Sequence, residues 1–122
     1  TIVRAREEYE RAFSIYYEFK ATPLLIGMAS NFLSFLNVTG DYKRHDEVMS
    51  LIINTVETSS QNITIDYLKL LGNEMSVASN SDNVYKAAYY SAKFASAFSE
   101  IQNILSEDET AVTQFLGLMW PP

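Results

Sequence analysis

The chain contains no cysteine and one histidine, His45. The first absence excludes a disulfide framework and thiolate chemistry. The two together exclude the usual zinc sites, which need three or four ligands drawn mainly from Cys and His. They also exclude a ferritin-like di-iron centre, which needs Glu-x-x-His pairs on facing helices. Four glycines, scattered singly at Gly27, Gly40, Gly72 and Gly117, cannot build a phosphate cradle, and no Gly-x-Ser-x-Gly is present. No enzyme, metal or cofactor is therefore expected. Long apolar runs are missing as well. The longest, 23–36, is interrupted by Gly27, Ser30, Asn31 and Ser34 and falls short of a bilayer span.

Basic residues are scarce. Nine Lys and Arg stand against fifteen Asp and Glu, a net charge of −6. Over residues 1–40 the signs balance, but from Val48 onward Lys69, Lys86 and Lys93 face eight carboxylates. Such a surface repels phosphate backbones and anionic lipid heads, so neither direct nucleic-acid binding nor membrane attachment is expected. The lack of cysteine favours a reducing compartment. The chain is thus read as soluble and cytoplasmic, with a removed leader left open because it begins at Thr1 rather than Met.

What is present is helical patterning almost throughout. With 122 residues, 48 % apolar and 20 % charged, the chain is long enough to bury a core as one domain, 1–122. The periodicity predicts an all-α, compact single-domain bundle of five or six helices, with the second and fifth central and no strand. In the first helix Ala5, Tyr9, Ala12, Phe13, Tyr16 and Phe19 or Lys20 recur at spacings of three and four. Arg4/Glu8, Arg6/Glu10 and Glu7/Arg11 form i,i+4 pairs on the opposite face. Thr22-Pro23 reads as a cap and first turn. The helix that follows is apolar nearly all round, and Gly27, Ser30 and Ser34 line it as a strip that a neighbouring backbone can approach. Gly40 ends it.

Asp41 or Asp46 starts the third helix, whose inner face begins at His45 or Val48 and continues through Met49, Ile52, Ile53 and Val56. After a polar connection over 58–62, the fourth helix presents Tyr67, Leu68, Leu71, Met75 and Ala78. Gly72 weakens its middle. In the fifth, Ala87, Tyr90, Phe94, Ala97, Ile101 and Ile104 make a seam of large residues. Beside it runs a strip of small ones, Ala88, Ala92, Ala95 and Ser99. Two packing faces on one helix imply a central position or contact with a second chain. Ser106-Glu107-Asp108-Glu109 reads as a capping box opening a short last helix with Ala111, Val112, Phe115, Leu116 and Met119.

The densest polar cluster, Lys43-Arg44-His45-Asp46-Glu47, is read as a solvated helix start. Sequence neighbours on a helix diverge, so His45 and Asp46 are not expected to meet as a base and its orienting carboxylate. The eight tyrosines carry more weight, because Tyr is enriched at partner interfaces. Tyr17 and Tyr89 lie off the main apolar stripes. With Ala88, Ala92, Ala95 and Ser99 they form the candidate interaction surface. These features favour a non-catalytic helical module that docks to protein, with a homo-oligomer somewhat preferred. Two alternatives are weighed beside it. One is a small acidic subunit of a nucleic-acid-handling complex, touching strands through Lys43, Arg44 and aromatic stacking. The other is a bundle holding an apolar ligand among Met28, Phe32, Phe35 and Met75.

Overall fold

The computed structural model describes residues 1–60 and 63–106. Within them the fold is all-α, with five helices and no strand: α1 (Ile2–Glu18), α2 (Thr22–Thr39), α3 (Tyr42–Thr58), α4 (Ile65–Asn80) and α5 (Val84–Leu105). The expected capping box over 106–109 and the last helix over 111–119 lie outside the described residues. The chain divides into two compact units, one holding α1–α3 and the other α4 and α5.

Four of the five helix starts follow from a short polar side chain that satisfies an otherwise orphaned amide. Thr1 Oγ1 accepts from the Arg4 amide at 3.2 Å, and Thr64 Oγ1 accepts from that of Tyr67 at 3.2 Å. Asn83 Oδ1 accepts from the Lys86 amide at 3.1 Å. Of the two aspartates expected to open α3, Asp41 does so, its Oδ1 accepting from the Arg44 amide at 3.2 Å. Between α2 and α3 the chain turns on Gly40, whose φ of 81° is the left-handed region that favours glycine. The start of α2 differs from expectation. Ala21 is its cap, and Thr22, which turns its hydroxyl back to the Lys20 carbonyl, lies inside the helix.

In the first unit α2 lies between α1 and α3 and touches both. Its all-round apolar composition predicts that placement: Leu25, Ile26, Ala29, Phe32, Leu33 and Leu36 are all buried. The rings of Tyr9 and Phe13 on α1 pack against Phe32, with centroids 5.5 and 6.0 Å away. The predicted inner face of α1 stops short, since Phe19 and Lys20 are both exposed. Gly27, Ser30 and Ser34 are exposed too, and a Cβ built on Gly27 meets nothing within 4 Å. The strip read as a place of close backbone approach therefore faces outward, because α2 already buries its large residues on the other side. Gly27→Ala should accordingly stabilise the protein by about 0.5–1 kcal/mol, the helix-propensity difference, as a shift in denaturant midpoint.

In the second unit α5 packs along α4. Gly72 has a packing reason there: a Cβ at this position would sit 3.4 Å from the Phe94 ring. Beside it the Ser91 hydroxyl donates to Met75 Sδ at 2.9 Å.

Candidate functional site

α5 carries three charged residues, Lys86, Lys93 and Glu100, and they are spaced seven apart. At about 3.6 residues per turn, that spacing places all three along one line of the helix. To one side of the line lies the seam of large residues, where Tyr90, Ala97 and Ile101 are buried. To the other side lie Tyr85, Ala88, Tyr89, Ala92, Ala95, Ser96 and Ser99, all exposed. The two strips, read from the sequence as adjoining, occupy roughly opposite faces. Exposure of the small-residue strip means that α4, the other helix of this unit, does not enclose α5 on that side.

This outer face is unlike that of α1. Exposed positions on α1 include Arg4, Glu7, Glu8, Arg11 and Glu18, as a solvated helix face requires. Over about four turns, from Tyr85 to Ser99, the outer face of α5 offers only methyl, hydroxyl and phenol groups. At its N-terminal end Tyr85 is 91 % exposed and Tyr89 is 47 % exposed. Tyr89 stands edge-on to Tyr90 with centroids 5.4 Å apart, and Lys93 Nζ lies 5.6 Å from its ring centre, which holds the phenol in place. An open groove of about 370 Å³, lined by Ser79, Asp82, Asn83, Val84, Ala87, Ala88 and Ser91, runs into this face at Ala88.

Tyr17 belongs to the first unit and is half-buried. Its ring stacks on Phe13 at 5.8 Å and carries Lys20 Nζ at 4.6 Å, so it is engaged in packing. Tyr85 joins the face in its place. The signal that marks Tyr85, the single line of charge along α5, is present in the sequence.

The polar cluster at the start of α3 is not the solvated start expected. Arg44 Nε lies 3.2 and 3.1 Å from the two Glu10 carboxylate oxygens, Nη2 lies 2.9 Å from Glu10 Oε1, and Nη1 lies 3.1 Å from Glu47 Oε2. Arg6 Nη1 reaches Asp41 Oδ2 at 2.7 Å, and Arg6 Nε lies 3.6 Å from Glu10. Five groups from α1 and α3 thus form one network, with Arg44 also over the Phe13 ring at 5.8 Å. The hydrogen bond from Arg6, then that from the Arg44 amide, hold the Asp41 carboxyl below its ordinary range. Bonding to Glu10 raises the Arg44 guanidinium further. His45 is buried, and its Nδ1 lies 3.0 Å from Asp46 Oδ1, contrary to the expectation that these neighbours diverge. The short aspartate curls back over its own turn to reach the ring.

Among the described residues no three His, Cys, Asp or Glu side chains converge to hold a metal ion. No described helix is long and apolar enough to cross a membrane. Phe32, placed against an apolar ligand in one of the two alternatives, is fully buried beneath Tyr9 and Phe13. No family model, curated protein or solved structure matches the chain.

Proposed function

We propose that the chain is a non-catalytic helical module that docks to protein through the outer face of α5, with a second copy of itself as its partner. The supporting observation is the uncharged exposed stripe of Tyr85, Ala88, Tyr89, Ala92, Ala95 and Ser99 on a helix whose charges are confined to one line. Small side chains let two helix backbones approach closely. Exposed tyrosines add amphipathic contact area at low ordering cost. Because the stripe is uncharged along its length, two copies related by a two-fold axis meet without like-charge repulsion.

Ala92 sits at the middle of the stripe and is exposed, so Ala92→Glu should leave the fold intact. Sedimentation of the wild type is expected to show a concentration-dependent dimer in the high micromolar range. Ala92→Glu should weaken that association roughly 100-fold or more, since two carboxylates would then lie across the contact. The helical circular dichroism should be unchanged. A wild type that stays monomeric throughout removes the second copy as partner. A variant that unfolds shows that the stripe is core rather than surface.

A further inference from the structure

α1 is held differently from its neighbours. It buries one residue, Phe13, whereas α2 and α3 bury seven each. Ile2, Val3 and Phe19, near its two ends, are more than two-thirds exposed. Two of its rings, Tyr9 and Phe13, pack on Phe32, with Tyr9 also 5.1 Å from Phe35. Charge ties α1 to the start of α3. Arg6 and Glu10 from α1 meet Asp41 and Arg44 at the start of α3, where Arg44 also pairs with Glu47 of its own helix. The helix between them contributes no charge, because 22–39 contains no Asp, Glu, Lys, Arg or His.

We infer that α1 is a detachable helix clamped by this five-group network, so that acidification releases it from α2 and α3 while those two remain helical and paired. Protonating Asp41 removes the counterion that Arg6 reaches across from α1 at 2.7 Å. The sign follows from Asp41. A carboxyl held low in the folded state contributes stability that is fully present above about 3.9. That contribution is lost as pH falls through the folded value. Release bares the Phe32 and Phe35 rings, a surface that is covered at neutral pH.

The chain has no cysteine of its own, so two introduced thiols can carry spin labels at defined sites. Ser14→Cys on α1 and Ser50→Cys on α3 are both exposed positions. Pulsed dipolar spectroscopy is expected to show one short distance at neutral pH and a growing long component as pH falls through about 4, while the helical dichroism persists. Salt at about 1 M, where the screening length is about 3 Å, should move the onset to higher pH. Arg44→Gln should raise the released population roughly two- to five-fold at a given pH, as expected for loss of the one partly exposed ion pair it makes with α1. Asp41→Asn keeps a side chain that caps as well as aspartate does and removes only its charge, so it should flatten the pH dependence without unfolding α3. If the distance stays short until the dichroism collapses with it, α1 is not separately detachable. If Asp41→Asn follows the wild-type profile, the network is not the clamp.

Discussion

Phe32→Ala is expected to destabilise the α1–α3 unit by about 3–5 kcal/mol. The ring is fully buried in the middle of α2. It is also the platform on which Tyr9 and Phe13 rest, so truncation leaves a cavity that two further rings line. The apolar packing of α1 converges on this one side chain, and α1 should therefore lose amide protection before α3 does. Hydrogen exchange resolved by segment gives the reading, and it also tests how the chain is divided. If α1–α3 and α4–α5 unfold separately, protection in α4 and α5 will be unchanged. Loss spread equally over all five helices would mean that the chain unfolds as the single domain its length leads one to expect.

Leu71→Ala is expected to cost about 2–5 kcal/mol in the second unit. Leu71 is fully buried on α4, directly before the glycine that admits the Phe94 ring. Phe94 cannot move toward the vacancy without giving up its seat over Gly72, so collapse around the cavity is limited and the cost should fall in the upper half of that range. A thermal midpoint lowered by only a degree or two would show that α5 shifts freely along α4, and that Gly72 does not lock their register.

The elements that were legible in the sequence are those specified by neighbours in the chain. The 3–4 spacing of Tyr90, Phe94, Ala97 and Ile101 marks the inward side of α5, and the apolar circumference of α2 marks its middle position. Capping was legible as chemistry but not as a choice, because Asp41 and Asp46 are equally competent until the preceding Gly40 turn is in place. Long-range pairing was not legible. Arg44 and Glu10 are thirty-four positions apart, and nothing in the local pattern distinguishes an arginine that will meet a distant carboxylate from one in water. His45 is a related case, since its burial depends on what surrounds α3 and not on its acidic neighbours. The face of α5 was half legible. Periodicity isolates Ala88, Ala92, Ala95 and Ser99 as a strip, yet a strip of small residues has the same pattern whether a helix of the same chain covers it or not. Its exposure is a tertiary fact.

The uncharged character of α2 has one more consequence, in the chain's susceptibility to proteases. No Lys or Arg occurs between 21 and 42, so trypsin has no site anywhere within α2. The nearest site before it is Lys20, exposed in the turn after α1 and held at a φ of 53°, a left-handed conformation uncommon for a lysine. Exposed turns are where nicking concentrates. A single cut there divides the first unit at the one covalent link between α1 and the helices that follow it. After that cut α1 remains in place only through non-covalent contacts, among them the Tyr9 and Phe13 rings on Phe32 and the ion pairs to Asp41 and Arg44.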